Sequence, residues 1–220
     1  MHALLLLASA ALANTTSTGL FWPGASPIAA NHGEAGGYVA PAFGTGTTAA
    51  GAVGGRVVYA PTDRVAFQVD AALAGSTDAP HPGLAAGARY LLVNSEHFRF
   101  AATAEAAGLD VAGELYTGAM AGLAVEAGGH GVWFDASTPW VAVTSGQGQV
   151  TAYGVYPLIT SELGLNVRIN EHYWLRFGTA SIFLVISYAY EADFYYLRAD
   201  LTGLVGVDIP VLKLGAGTRF

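Results

Sequence analysis

The sequence predicts an all-β protein, an antiparallel up-and-down transmembrane β-barrel of about ten strands. Hydrophobic residues make up 53% of the 220-residue chain and charged residues only 11%, with a mean hydropathy of +0.42, which is typical of a protein that faces lipid. Beyond the N-terminus, however, the best candidate helix, residues 180–186, is far shorter than the roughly 18 apolar residues that a membrane-spanning helix needs. Because only helices and closed barrels satisfy every backbone hydrogen bond inside a bilayer, a barrel is the class that remains.

The first residues predict export. Residues 3–10 form an apolar run too short to span a membrane, and Ala11, Leu12 and Ala13 provide the small-residue pattern after which a signal peptidase cuts. We therefore expect residues 1–13 to be a signal peptide and residues 14–220 to form one barrel domain. The positively charged start of most signal peptides is missing, so an uncleaved N-terminal helix is the alternative.

Charge and cysteine content exclude other classes of protein. The formal net charge of −7 disfavours binding to nucleic acid, because that partner requires a basic surface. The chain contains no cysteine, which excludes a disulfide framework and a lipoprotein attachment site.

Segments of roughly ten residues with two-fold alternation follow one another from residue 49 onward, as expected when lipid-facing and lumen-facing side chains alternate along strands. In residues 64–74 the apolar side chains from Val65 to Leu73 share one face, and Arg64 and Asp70 lie on the other. The same pattern predicts lipid-facing positions at Phe98, Phe100, Leu163, Leu165, Leu175, Phe177, Phe183 and Val185.

The basic residues support a membrane barrel, because every Lys and Arg can be assigned to the polar face of its segment. On the lipid face, each would cost about 2–4 kcal/mol near the midplane of the bilayer. The charges predicted to lie in the lumen are Arg64, Asp70, Arg99, Glu105, Glu162, Arg168 and Arg176. We expect them to form ion pairs, such as Arg99 with Glu105 and Glu162 with Arg168; in a pore, the same charges would act on passing solutes.

Connections of two lengths alternate along the chain, an asymmetry typical of membrane barrels. Tight turns are predicted at residues 61–63, 94–96, 128–130, 170–172 and 208–210, and longer loops at residues 75–83, 108–113, 144–154 and 187–192. Aromatic residues expected to form an interfacial girdle near the tight turns are Tyr59, Tyr90, Phe98, Phe134 and Tyr173. Trp133 and Trp174 fall on the inward face, so this girdle is only partial.

The number of strands depends on two segments. Ten segments alternate as strands do: residues 49–60, 64–74, 84–93, 97–107, 114–126, 131–143, 155–169, 173–186, 193–207 and 211–220. This set places the tight turns and Phe220 at opposite ends of the barrel. A short extra strand at residues 36–43 brings the tight turns and Phe220 to the same end but makes the number of strands odd. The number of strands becomes even again if residues 193–207 form an outer loop. We therefore predict about ten strands, with eight to twelve possible.

Two stretches resemble a known family, the small outer-membrane β-barrels of Gram-negative bacteria with OmpA-like or OmpW-like architecture. Residues 57–69, VVYAPTDRVAFQV, are similar to the periplasmic hairpins of these proteins. The last ten residues, VLKLGAGTRF, resemble their assembly signal at Lys213, Gly215, Thr218 and Phe220, although the family prefers an apolar residue where Thr218 stands. The resemblance implies an outer-membrane location, contact with outer-membrane lipid and insertion by the outer-membrane assembly machinery. We expect the barrel to be a monomer.

Candidate catalytic and cofactor sites are weak. None of the six histidines lies in the middle of a predicted strand, and His97, His130 and His172 lie at separate tight turns, too far apart for one metal ion unless the turns bend together. The G-x-G-x-x-A pattern at residues 44–49 has neither a preceding strand nor a following helix, so it does not indicate a nucleotide site. We expect no cofactor and no metal.

The most distinctive exposed candidate is the aromatic-rich segment 188–196, which is either an outer loop that contacts a ligand or a strand end in the interfacial belt. The sequence favours a non-enzymatic, structural and loop-presenting barrel with a narrow, charge-paired lumen. The alternatives are a small-solute pore, an enzyme that modifies outer-membrane lipid, and a secreted soluble barrel that binds a ligand.

Overall fold

A computed structural model of the chain describes residues 29–42, 50–76, 79–111, 113–146, 149–154, 162–180, 183–204 and 207–220. These residues form antiparallel strands: β1 (His32–Ala42), β2 (Ala50–Ala60), β3 (Val65–Ser76), β4 (Ala79–Asn94), β5 (Phe98–Val111), β6 (Glu114–Gly129), β7 (Val132–Gly146), β8 (Gln149–Gly154), β9 (Glu162–Arg168), β10 (Tyr173–Ala180), β11 (Phe183–Glu191), β12 (Tyr195–Leu204) and β13 (Val207–Arg219). Within the described ranges, no helix has the length and apolarity needed to span a bilayer.

The strands close into a barrel. Strands that are neighbours in sequence pair with each other, except that β9 pairs with β7 in place of β8, and β1 pairs with β13 to complete the ring. Strand β7 pairs with β8 through residues 141–146 and with β9 through residues 132–137, so β8 and β9 share one place in the wall. The described strands therefore occupy twelve places, which confirms the predicted fold class and lies at the upper end of the predicted range.

The preferred ten strands included the extra N-terminal strand, which is present as β1, and two differences raise the number to twelve. The segment predicted as one strand at residues 173–186 is a hairpin of β10 and β11, and residues 193–207 contribute a strand, β12. The change of direction also reverses the parity, so that Val185 is buried inside the barrel and not exposed to lipid as predicted.

The arrangement in which residues 193–207 form an outer loop, and not the strand that their alternation also indicates, is wrong. Most of the segment is strand β12, which is paired on both sides, from Phe183 opposite Leu204 on β11 to Tyr195 opposite Thr218 on β13. With twelve places the number is even. The tight turns and Phe220 then lie at the same end of the barrel, as the family pattern requires.

Short connections at this end, the turn end, join β2 to β3, β4 to β5, β6 to β7, β9 to β10 and β11 to β12. The connection at residues 130–131 has positive φ at both positions, 52° at His130 and 84° at Gly131, which is the geometry of the two-residue hairpin turn that matches strand twist. In the next turn, the Asn170 side chain accepts hydrogen bonds from the backbone N–H groups of His172 and Tyr173 at 2.9 and 3.0 Å.

Several predicted loops are strands. The tight turn expected at residues 208–210 lies inside β13, where Pro210 stands beside a register shift in the β12–β13 pairing. Residues 187–192, expected as a loop, mostly continue β11, and the three longer loops are largely extensions of β3 to β8. Strands β4 to β7 accordingly have 14 to 16 residues, whereas β9 to β12 have 7 to 10.

Outward positions carry apolar side chains. Strand residues with exposed apolar side chains include Val39, Val57, Phe67, Val69, Leu84, Leu165, Phe177, Leu184, Leu197 and Leu201. The predicted girdle residues Tyr59, Tyr90, Phe98 and Phe134 are exposed near the turn end, and Tyr173 packs with Tyr188 and Tyr190 at ring-centroid distances of 5.7 and 5.0 Å. The segment 188–196 therefore belongs to the ends of β11 and β12 at the turn end. Of the two interpretations of this segment, the structure agrees with a strand end in the interfacial belt and not with an outer loop.

Candidate functional site

The lumen carries the candidate site, because alternation directs the charged side chains of the strands inward. At mid-height lies a central belt, defined by Arg56, Asp70, Asp135, Asn166, Arg176, Arg198, Asp200 and Lys213, whose members come from seven strands. Most of them are buried within the barrel. The belt contains both signs of charge around the wall.

Arg56 on β2 and Asp70 on β3 form the first ion pair of the belt. The two residues stand directly opposite each other in the ladder, and the Arg56 guanidinium donates through Nε to Asp70 Oδ1. Both side chains are almost fully buried, at 4% and 1% exposure. Such a pair is costly to break, because the remaining charge would stay buried without a partner.

Asp135 and Arg176 form a second buried pair that reaches across an intervening strand. Asp135 is on β7 and Arg176 on β10, and Arg176 Nη2 donates to Asp135 Oδ2 at 3.0 Å. Asn166 on β9 also donates to this carboxylate. Gly164 makes the crossing possible, because a methyl group there would lie 2.5 Å from Asp135 Oδ1 and 2.7 Å from Arg176 Nε.

A second layer of charges lies toward the turn end. Arg99 pairs with Glu126 at 3.1 Å, and its guanidinium lies 4.3 Å from the ring centroid of Trp133. Arg219 pairs with Glu34 at 3.0 Å and Glu191 at 3.2 Å, which ties β13 to β1 and to β11. These contacts join neighbouring strands at the rim and bring an indole ring into the lumen.

Small apolar clusters fill the lumen between these charges. One consists of Val58, Ala60 and Ala66, and another of Leu91, Ala101 and Ala124. In the third, Ala189 and Tyr196 pack against Trp174. In the described part of the chain, apolar side chains therefore form a constriction in the lumen on the side of the turn end.

Two lumenal tyrosines lie flat over glycines. A methyl group at Gly54 would lie 2.6 Å from the Tyr38 hydroxyl oxygen, and one at Gly36 or Gly217 would overlap the Tyr196 hydroxyl. Glycine at these positions removes the side chain that would otherwise force the rings away from the wall. Above the Tyr38 ring lies the Lys213 ammonium, 4.2 Å from the ring centroid.

The predicted lumen charges occupy several environments. Asp70, Arg99 and Arg176 lie in the lumen as described above, and Glu105 lies on the inward face of β5. Arg64 is an exposed residue of the 61–64 turn. Arg168 lies at the turn end, where it donates to the carbonyl oxygens of Asn170 and Glu171 at 3.1 and 3.0 Å and stacks over Trp174. Glu162 is the first residue of β9.

The partners of the charges differ from those expected along each strand. Arg99 pairs with Glu126 on the neighbouring strand and not with Glu105, and Arg168 contacts turn carbonyls and an indole ring. Sequence reasoning did not select Tyr38, Tyr196, Gly164 or Asn166. Asn166 and Gly164 share the inward parity of Arg168, which was the signal available in the sequence.

The four residues of the assembly motif lie along β13 and its end. Lys213 and Gly215 are on the inward side, whereas Thr218 and Phe220 are exposed on the outward side. Phe220 exchanges backbone hydrogen bonds with Gly33 at 2.7 and 3.0 Å, and its ring occupies the space that a side chain at Gly33 would need.

Two of the histidines at the tight turns lie within hydrogen-bond distance of backbone carbonyl oxygens. His97 Nδ1 lies 3.1 Å from the carbonyl oxygen of Gly128, and His172 Nδ1 lies 3.0 Å from that of Glu191. Groups of three or more His, Asp or Glu side chains with metal-binding geometry do not occur in the part of the chain that the structure describes. The predicted signal peptide at residues 1–13 and the G-x-G-x-x-A pattern at residues 44–49 lie outside that part.

Comparison with known structures shows the class of fold. The porin KdgM has a TM-score of 0.59 and 6% sequence identity, over 84% of this chain and 99% of that chain. KdgM in complex with disordered oligogalacturonate gives a TM-score of 0.58 at 7% identity. An outer membrane channel from Pseudomonas putida F1 has a TM-score of 0.59 and 13% identity, over 88% of this chain and 97% of that chain.

The sequence itself has no such counterpart, since neither a protein-family model nor a curated protein matches it. The structural likeness supports the small outer-membrane barrel class without selecting an OmpA-like or OmpW-like subfamily. The chain has the fold of a Gram-negative outer-membrane β-barrel, and its apolar outward face fits that membrane.

Proposed function

We propose that this barrel is a narrow pore for small polar solutes in the outer membrane, and that it has no enzymatic activity. The observation that supports this proposal most directly is the charged lining of the lumen. This lining combines buried ion pairs with side chains that water reaches. The exposed fractions of the Arg99, Arg198 and Arg219 side chains are 23%, 15% and 29%. A lumen with hydrated charges of both signs lowers the cost of moving a polar solute through the bilayer.

The width of the barrel supports the same proposal. An eight-stranded barrel has an interior that side chains just fill, whereas a barrel of about 16 strands leaves a wide aqueous channel. Twelve places lie between these cases. The likeness to a porin and to an outer membrane channel adds support at the level of fold.

The second candidate is the closed, structural barrel that the sequence favoured. Its support is the near-complete burial of Asp70 and Asp135 and the apolar clusters toward the turn end. Both candidates contain the same strands and the same ion pairs. They differ in whether a continuous hydrated path passes the constriction beside Trp133 and Trp174.

Conductance in planar lipid bilayers separates the two candidates. We expect the folded protein to give small, reproducible current steps and a heat-unfolded sample to give none. Trp133→Ala removes an inward ring at the constriction and is expected to enlarge the steps. Phe134→Ala, the next residue on the outward face, is the matched control and should leave them unchanged. Absence of steps from both the wild type and Trp133→Ala would leave the closed barrel as the function.

We also propose that the barrel is a monomer that contacts outer-membrane lipid directly and that the assembly machinery recognises β13 through Lys213, Gly215, Thr218 and Phe220. Support comes from the outward Phe220 ring at the seam between β13 and β1. Phe220→Ala is expected to lower the amount of heat-modifiable barrel in outer-membrane fractions severalfold. Phe194→Ala, which removes another exposed ring at the turn end, serves as the control. Equal amounts of both variants and wild type would contradict the proposed recognition.

A further inference from the structure

Lys213 differs from the neighbouring cations of the lumen. Arg56, Arg176 and Arg198 each lie within ion-pair distance of a carboxylate. Among the described residues, Lys213 has no such ion pair, and its ammonium instead lies 4.2 Å from the centroid of the Tyr38 ring. An ammonium carries three N–H donors, and its attraction to the ring face does not use all of them.

Basic groups outnumber acidic groups around Lys213. The groups that act on it electrostatically are two arginines, Arg198 and Arg56, and two carboxylates, Asp200 and Asp70. Each of these arginines is already committed to one of these carboxylates. Together with Lys213, three basic groups lie near two carboxylates, so at this level the lumen has one basic group more than it has acidic groups.

The Tyr38 ring lies against the wall beneath Lys213. The Tyr38 side chain is 8% exposed, and its buried hydroxyl has no hydrogen-bond partner among the described residues. Tyr38 stands opposite Gly215 on β13 and Gly54 on β2, two positions without side chains. Lys213 is the next inward residue after Gly215, so its ammonium lies over the ring that covers these glycines.

We infer that Lys213, held over the Tyr38 ring, forms a binding position for the carboxylate of a small organic anion. The inference rests on the proposed pore, because it names the solute class that the lumen selects. The ammonium supplies both the positive charge and the hydrogen-bond donors for the carboxylate, and the Tyr38 ring holds the ammonium in place. Charge-assisted hydrogen bonds of this kind are the strong ones in proteins.

Current block by gluconate, a hydroxylated carboxylate, is the first test. We expect gluconate to reduce the single-channel current of the wild type. Lys213→Gln should raise the half-blocking concentration about tenfold, because it removes one charged hydrogen bond. Lys213→Arg retains the charge and should stay within about threefold of the wild type. Heat-dependent gel mobility verifies that each variant is folded. Equal block of the wild type and Lys213→Gln would overturn the inference while the pore remains.

Calorimetric titration of the detergent-solubilised barrel with gluconate keeps the inference testable without conductance. A barrel that does not conduct but binds gluconate through Lys213 would refute the pore and retain the binding position. Absence of gluconate binding to the wild type would overturn the inference.

Chemical labelling adds an independent measurement, since Lys213 is the only lysine in the chain. An amine-acetylating reagent should modify Lys213 in the folded barrel, and gluconate should slow this reaction relative to the N-terminal amine. A lysine that is unreactive until the barrel is unfolded would show that the ammonium is a structural partner of Tyr38 and would contradict the inference.

Discussion

At the scale of single residues, the lumen is organised by pairs that bridge strands. Asp135 is fully buried, and its two polar neighbours, Asn166 and Arg176, come from the next two strands. Desolvation of both charges offsets much of their attraction, so such a pair contributes modestly as a whole, whereas loss of one partner is costly. The pair therefore specifies which strands lie together more than it adds to the free energy of unfolding.

Removal of one partner tests this interpretation. Asp135→Ala leaves the Arg176 guanidinium buried without a carboxylate, and we expect the free energy of unfolding to fall by about 3–5 kcal/mol. Urea unfolding in lipid vesicles, followed by tryptophan fluorescence, measures the change. The double variant Asp135→Ala with Arg176→Met removes both charges and should recover a large part of the loss. A double variant as unstable as the single one would contradict the explanation.

Gly164 provides a second test at this scale. Gly164→Ala adds a methyl group where Asp135 and Arg176 meet, so the ion pair has to move apart. We expect a loss of about 1–3 kcal/mol, as for other overpacked sites. Gly37→Ala is the matched control, because its methyl group would lie 3.4 Å from the nearest atom, the carbonyl oxygen of Gly54. Equal effects of the two variants in the same unfolding measurement would show that space at Gly164 is not required.

Parity along a strand was sufficient to predict that Asp70, Arg99 and Arg176 point inward. It was not sufficient to predict their partners, because a partner depends on the register between strands, which alternation within one strand does not contain. Arg64 shows that parity fails at a strand end. It was predicted to point into the lumen, but it lies one residue before β3 begins and is exposed in the turn.

At the scale of elements, the β10–β11 hairpin and β12 account for the difference in strand number. Residues 180–186 contain no Gly, Pro, Asn or Asp, so the sequence gives no turn signal between β10 and β11. Residues 208–210 do contain Asp and Pro, and there the missing N–H of Pro210 coincides with a register shift inside β13. The turn residues at 208–210 thus indicated an interruption of the hydrogen-bonded ladder, but they did not distinguish a turn from an irregular strand.

The position of β12 in the wall is open to a direct test. Leu201 is an outward residue in the middle of β12, and Leu201→Arg is expected to destabilise the barrel by up to about 2–4 kcal/mol by placing a charge in lipid. Phe194→Arg, in the turn before β12, should have little effect because that side chain is 77% exposed outside the strands. The measurement is the fraction of heat-modifiable protein in the outer membrane. If Leu201→Arg is tolerated as well as Phe194→Arg, the segment does not face lipid.

At the scale of the whole molecule, closure of the ring depends on the β1–β13 seam, which joins residues far apart in the sequence. Ala35 lies opposite Thr218, and Glu34 opposite Arg219. The composition and alternation of the sequence predicted the class of fold, because lipid imposes the same pattern on every strand. They did not predict this seam, because β1 is rich in glycine and contains no strong alternation.

A disulfide across the seam tests the closure and its register. The chain contains no cysteine, so Ala35→Cys with Thr218→Cys introduces a single possible disulfide. Opposite residues of antiparallel strands have Cα atoms about 4.5–5.5 Å apart, which a disulfide spans. We expect cross-linking on mild oxidation of the folded barrel. Ala35→Cys with Ala216→Cys is offset by two residues and should remain reduced, and cross-linking of this pair alone would indicate a different register.

The long described strands carry part of the wall beyond the bilayer. A strand of about 9–11 residues is enough to cross the bilayer, and β4 to β7 are longer than this. Because the tight turns lie at one end, the surplus projects from the other end, which faces the cell exterior in barrels of this kind. An antibody or a phage tail fibre that approaches the cell can therefore contact the projecting ends of β4 to β7 without entering the membrane.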